Sequence, residues 1–323
     1  MNAYRGYGIT IPLDRVPLHE QRSWIEDLAA AGYTDAWSAE TDGTDAFTPL
    51  ALTSQWAPSL RLGTAIVPAF TRGPALIAQS AASLASAAPG RFVLGLGTSS
   101  DVIVSRWNGI AFDEPYKRMR DTLRFVRAAL TGEKVTETYD TFSIRGFRLT
   151  AVPSEPVPIL VAALREGMLN LAGREGDGAI INWLSADDVA RVAPIVQAHG
   201  DDKEIVARIF VVPSEDAETV RAQGRFAIAA YLNVPVYRAF HEWLGRGPQL
   251  QGMWDAWAAG DRAKALELIP DEVVDALIVH GSPEQCRAHI QRYVDNGVTT
   301  PALAVLGMAG VDVRTASLEL VPR

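Results

Sequence analysis

Cysteine is nearly absent: Cys286 is the only one in 323 residues. No disulfide can form within the chain, and cysteine-rich zinc sites are excluded. Histidine is scarce. His19, His199, His241, His280 and His289 all fall in predicted helices or at helix edges. None lies at a predicted strand end, and no two have zinc-ligand spacing, so no metal site is expected. There is no G-x-S-x-G elbow and no P-loop. No apolar run reaches about 18 residues, and no charged leader with an apolar core and cleavage site opens the chain. The expectation is a cytoplasmic protein with no membrane contact. Lys and Arg number 30 against 38 Asp and Glu, a net charge of −8, which argues against a nucleic-acid or anionic-membrane partner. The expected partner is a small molecule, and an anionic cofactor would need local cations or backbone donors.

What is present is an ordinary globular composition, with 48% hydrophobic and 21% charged residues. That suffices for a large core. Short apolar runs alternate with longer helical patterns. The runs are Gly6–Pro12, Thr34–Glu40, Arg61–Pro68, Phe92–Leu96, Pro158–Leu164, Asp177–Trp183, Ile205–Val212 and Pro301–Leu306. Between strands four and five, Met119, Leu123, Val126 and Leu130 mark a helix ringed by arginines, and Val135–Leu149 reads as a small β insertion. A long helical stretch, about 216–279, separates strands seven and eight. Eight strands with intervening helices predict a parallel sheet closed into a (β/α)8 TIM barrel with insertions, the longest between strands seven and eight. The expected organisation is one domain over 1–323. An open doubly wound sheet is the alternative, more natural with two domains.

The stretch RFVLGLGTSSD, Arg91–Asp101, invites a dinucleotide reading, because Gly-x-Gly follows a strand. The third fingerprint position is Ser100 rather than glycine, and Asn108, Gly109 and Pro115 interrupt any immediate helix. Two readings stand: Gly95 and Gly97 ease close packing at a strand end, or Thr98 and Ser99 meet a polar or anionic ligand. In a barrel the site forms at the C-terminal strand ends. There Glu40 is a solvated charge or a site acid, and Arg165 is a solvated charge or a cation for phosphate or carboxylate. Trp183 would cover the barrel mouth, and Cys286 reads as core beside Ile290. So few nucleophiles and metal ligands suggest that a cofactor carries the chemistry.

Four blocks together resemble the luciferase-like flavin and deazaflavin oxidoreductase superfamily: RFVLGLGTSS, NGIAFDEPYKRMRDTLRFVRAALTGE, AGREGDGAIINW and HGSPEQCRAHIQRYVDNGV. They stand in the family's order and span nearly the whole chain. The resemblance is closest to the branch using coenzyme F420, a deazaflavin. It implies a (β/α)8 barrel with the cofactor ring at its C-terminal mouth. It also implies a strand-three bulge under the ring, often with a non-prolyl cis peptide, at Ala65 and Ile66. Phosphate and side-chain contacts would come from Thr98 and Ser99 and from Ala163, Leu164 and Arg165. The acid after strand two maps to Glu40, a candidate catalytic residue that would orient the ring or relay a proton. Many relatives follow that acid with histidine, where this chain has Thr41, so a proton-transfer role for that position does not carry over. The implied activity is hydride transfer between F420 and a small organic substrate, in a homodimer. The alternatives are an FMN-dependent monooxygenase and a cofactor-binding barrel that has lost catalysis.

Overall fold

The computed structural model describes residues 5–321. Eight parallel strands form its centre: β1 Gly8–Ile11, β2 Asp35–Ser38, β3 Arg61–Thr64, β4 Phe92–Gly97, β5 Ile159–Ala162, β6 Gly178–Asn182, β7 Glu204–Val212 and β8 Thr300–Val305. Each pairs in parallel with its sequence neighbours, and β8 closes on β1 through Gly8 opposite Ala302 and Ile9 opposite Leu303. This is a (β/α)8 barrel, not the open doubly wound sheet. The strands are apolar almost throughout, as strands buried on both faces must be.

Helices follow the strands on the outside, and local chemistry starts them. Ser185 and Asp188 form a capping box at Ala186–Gln197, and Ser282 and Gln285 do so at Pro283–Asp295. Proline opens Pro74–Ala87 and Pro115–Leu130, where its missing N–H costs nothing. The predicted stripe Met119, Leu123, Val126 and Leu130 is buried, and Phe125 from the same helix packs against Tyr139, Phe142 and Phe147 of the antiparallel hairpin Val135–Thr138/Ser143–Phe147. Cys286 is buried, and burial pushes its thiol up to about 12, the behaviour of a core residue.

The barrel interior is filled by Trp37, Val93, Leu160, Ile180, Val206 and Ala302, one from each strand except β1 and β3. Those two strands contribute glycine. A Cβ on Gly8 would lie 2.6 Å from the Trp37 ring, and one on Gly63 2.2 Å from it. Below Trp37, at the N-terminal strand ends, Arg61 of β3 bonds Asp35 of β2 and both oxygens of Glu204 on β7, at 2.9 and 2.5 Å. Thr300 of β8 donates to Glu204 at 2.7 Å. Burial pushes the Asp35 carboxyl up. Burial acts on Glu204 in the same sense, but the bonds and charge of Arg61 overcome it and hold Glu204 low.

Four features differ from the sequence expectation. The stretch 216–279 is five helices: Ala217–Leu232, Pro235–Trp243, Gly247–Ala258, Arg262–Glu267 and Asp271–Leu277. Pro235, Gly245, Gly260 and Pro270 sit at or beside the breaks. The β-branched pair Ile278–Val279 then forms a short strand to His280, parallel to Phe210–Val212, so His280 ends a strand rather than edging a helix. A wide helical turn, Val102–Trp107, follows β4, and a final helix, Val313–Glu319, is capped by Asp312.

The helical insertion is anchored on the barrel by a second apolar cluster. Trp183 is buried there, stacked on Phe210 at 4.0 Å and beside Tyr231 at 4.9 Å. Arg246 reaches back to Asp188 at 2.7 Å. His241 is buried in this joint, and burial, with Arg246 second, holds its pKa down at about 4 against an ordinary 6.5. Among the described residues no helix is long and apolar enough to cross a membrane.

Two outcomes follow from these joints. Arg61→Met leaves two buried carboxylates without their cation, and urea denaturation at pH 7 should show a loss of about 3–5 kcal/mol. Between pH 6.5 and about 4 the unfolded chain binds a proton at His241 that the folded chain does not. Stability from this group is therefore complete above pH 6.5 and falls with pH by up to about 1.4 kcal/mol per unit. In His241→Gln, urea midpoints measured across that window should lose this part of the slope.

Candidate functional site at the C-terminal strand ends

A cavity of about 900 Å³ opens at the C-terminal ends of β2–β7, under the start of the insertion. All eight residues singled out in the sequence line it: Glu40, Ala65, Ile66, Thr98, Ser99, Ala163, Leu164 and Arg165. At the ends of β2–β5 its lining includes side chains of one carbon or none, Ala39, Ala65, Gly97 and Ala162, which form a slot of small residues. Ala65 and Ile66 pack directly on the Trp37 cluster, and the peptide between them is cis. The chain then re-pairs as Val67–Pro68 alongside Leu96–Gly97 of β4.

The two glycines of the GLG stretch have different jobs. A Cβ on Gly95 would sit 1.9 Å from the carbonyl oxygen of Thr64, a backbone atom that cannot step aside. Thr64 also locks this spot, its Oγ1 accepting from Gly95 N–H at 2.8 Å and donating to Gly95 O at 2.9 Å. A Cβ on Gly97 would lie 2.9 Å from Ile66 Cγ1 and 3.0 Å from Ala162 Cβ, both cavity-lining side chains. The packing reading thus fits Gly95, and Gly97 belongs to the cavity wall. Beyond it Ser99 has φ +63°, a left-handed conformation costly for a residue with a Cβ.

Glu40 is not a free acid. Arg72 Nε lies 3.1 Å from each carboxylate oxygen and Nη2 2.9 Å from Oε2, while Ala46 N–H donates to Oε2 at 3.2 Å. The Arg72 guanidinium also lies over the Phe47 ring at 5.2 Å. Glu40 N–H donates to Ile66 O at 3.2 Å, tying the acid to the bulge. Thr41 points its hydroxyl to Asp42 instead, at 3.2 Å.

On the opposite rim Arg165 is exposed and pairs with no acid among the described residues. It precedes helix Glu166–Arg174, whose start carries no side-chain cap, and Glu166, Gly167 and Met168 line the cavity. First-turn N–H groups and a cation together suit an anionic ligand. The loop after β4 forms the outer lip through Ile103, Phe112, Pro115 and Tyr116. Of the tryptophans in the insertion only Trp243 lines the cavity; Trp254 is buried, donating to Leu232 O at 2.9 Å. Trp183 is likewise packed between barrel and insertion rather than laid over the mouth.

Sequence reasoning passed over Arg72, Arg208, Tyr231 and Tyr237, and gave Asn182, at the end of strand six, no role. Arg208 had a visible signal: it is the one charged residue inside the otherwise apolar run IVARIFVV of β7. Asn182 likewise ends GAIIN on β6. Arg72 and the tyrosines carry no such mark, because only the fold brings them to the cavity.

With this geometry in view, comparison with known proteins gives the family. The profile of the luciferase-like monooxygenases matches residues 5–300, and the chain belongs to that family. It is 28% identical over 277 residues to the 5,10-methylenetetrahydromethanopterin reductase of Methanolobus tindarius, covering 83% of this chain and 84% of the relative. Its fold matches that of the coenzyme F420 dependent tetrahydromethanopterin reductase from Methanopyrus kandleri, with TM-score 0.81 at 19% identity over 98% of this chain and 97% of the other. An F420-dependent secondary alcohol dehydrogenase, solved with an F420-acetone adduct, superposes with TM-score 0.79 at 16% identity over 100% and 99% of the two chains.

The two glycines give a paired test. Gly95→Ala should prevent folding, read as loss of soluble protein with a cooperative melt. Gly97→Ala should fold with a loss of about 1–3 kcal/mol by urea denaturation, because the atoms it meets are side chains that can shift.

Proposed function

We propose that the protein is an F420-dependent oxidoreductase acting on a small organic substrate. The observation that carries this reading is the small-residue slot at the β2–β5 strand ends, which runs to the uncapped helix start beside Arg165. A flat ring needs the slot, and an anionic tail needs the cation and the N–H groups. The likeness to an F420-dependent reductase and an F420-dependent secondary alcohol dehydrogenase supports the same choice. Bound F420 supplies or accepts two electrons as a hydride.

The chain's own residues do the rest. Ala65, Ile66 and Gly97 would hold the ring, and Thr98, Ser99, Ala163 and Leu164 would supply further contacts to the cofactor, with Arg165 placed to meet its anionic tail. Glu40, tied to Ile66 and saturated by Arg72, keeps the bulge in register and orients the ring; in this reading it is an orienting carboxylate rather than a proton relay. The lip from Ile103 to Tyr116 and the insertion exclude water from the ring, which strengthens every polar contact there. A single domain over 1–323 with its helical insertion at about 216–279, working as a cytoplasmic homodimer, belongs to the same proposal.

The test is a titration of the apoprotein with F420 and, separately, with FMN. Saturable F420 binding, tighter than FMN, is expected. Arg165→Ala should weaken F420 binding roughly tenfold, the loss of about one charge-assisted contact, with an unchanged melting temperature. A folded sample that binds no F420 overturns the proposal.

A further inference from the structure

The cavity has a second polar corner, away from the slot. Arg208 lies in register with Asn182 across the β6–β7 pairing, and both line the cavity beside Tyr237 of the insertion. Among the described residues Arg208 has no acidic partner, and its buried Nε has no hydrogen-bond acceptor. Its guanidinium lies over the Phe210 ring at 5.0 Å, and Phe210 is stacked in turn on Trp183. The cation therefore lies against an aromatic platform with a donor to spare. Asn182 Nδ2 donates to the Tyr237 hydroxyl at 3.2 Å, while its buried Oδ1 has no partner. Burial pushes the Tyr237 phenol up to about 12, so it stays a donor at neutral pH.

Arg208 is half-buried, and its Nε, closed off from water with neither an acid nor an acceptor, is unfavourable unless a ligand supplies one. Glu40, the most buried acid of the cavity lining, is already taken by Arg72. The same cavity is lined by the large side chains Ile180, Val234, Val236, Tyr231 and Trp243. A planar guanidinium fixed on a ring matches the two coplanar oxygens of a carboxylate better than it matches a neutral carbonyl.

We propose that Arg208, with Asn182 and Tyr237, binds the carboxylate of the substrate, so that the substrate class is a small organic acid with an apolar or aromatic body. The proposal deepens the oxidoreductase reading and rests on it for the word substrate, but the corner's affinity is measurable without cofactor. The Arg208 fork takes the two carboxylate oxygens, the Tyr237 O–H offers a further donor, and Asn182 Oδ1 accepts from any hydroxyl or amine next to the acid. The acid's body then lies against Tyr231 and Trp243, facing the slot.

The experiment is calorimetric titration of the cofactor-free protein with two matched pairs, phenylacetate against phenylacetamide and pentanoate against pentanamide. The wild type should bind the acid of each pair at least about tenfold more tightly than the amide. Arg208→Met should abolish that preference and leave F420 affinity within about threefold of wild type, a loss confined to one charge-assisted contact. Asn182→Asp, nearly isosteric, places a carboxylate beside the cation. It should abolish acid binding without lowering the melting temperature, which separates recognition from folding. Arg165→Ala should keep the acid preference. Equal binding of acid and amide by the wild type, or an unchanged preference in Arg208→Met, overturns the proposal. Tighter Arg208-dependent binding of phenyl phosphate than of phenylacetate overturns the carboxylate assignment. If the wild type binds no F420 while the Arg208-dependent acid preference holds, the oxidoreductase reading falls and the anion site stands.

Discussion

The indole of Trp37 is the largest side chain inside the barrel, and features of both barrel ends pack against it or its cluster. Its ring fits only because β1 and β3 present Gly8 and Gly63 on their inner faces. Ala65 and Ile66 pack against the cluster that it heads, so the cavity wall rests on the filled barrel interior. Below it, the Arg61 guanidinium lies 5.6 Å from the ring and gathers β2, β3 and β7 at their starts. The ionic cluster does not need to be strongly stabilising to matter. Buried ion pairs often return little over an apolar replacement, but removing one member is severe. Its role is to fix which strand ends meet beneath the indole, and hence the level of everything above.

The charges of the cavity are arranged unevenly. The chain carries a net charge of −8, yet the acid at the strand-two end is neutralised by Arg72, whereas Arg165 and Arg208 are left for something else. They differ in setting. Arg165 is exposed, screened by solvent, and costs little to leave alone. Arg208 is recessed on an aromatic platform, and its unmet donors are the more telling observation. Burial tells against an unpaired charge much more strongly than exposure does.

Much of this was legible in the amino-acid order. The eight strands could be read because parallel strands covered on both faces appear as short apolar runs, and the blocks around Gly95, Pro115, Gly178 and Pro283 carried the family likeness. All eight residues named for the site do border one cavity. What stayed hidden was pairing at a distance. Nothing in the sequence ties Arg72 to Glu40, and without that tie Glu40 looked equally able to orient or to move a proton. The insertion was visible as helical but not as five helices, since breaks at Pro235 and Pro270 and near Gly245 and Gly260 are short against its length. Arg208 was passed over although it is a charge in an apolar strand, because a charge there means little until the strand's inner face is known.

The stacked rings of Trp183, Phe210 and Tyr231 join the insertion to β6 and β7 alone, while the slot is built on β2 to β5. The insertion thus has a foundation of its own, although Ile180 and Val206 of those two strands share the barrel interior on which Ala65 and Ile66 pack. A lineage that redrew the insertion alone would trade one substrate shape for another and leave the residues of the slot in place. In such an architecture chemistry is inherited from one side of the barrel and diet is acquired on the other.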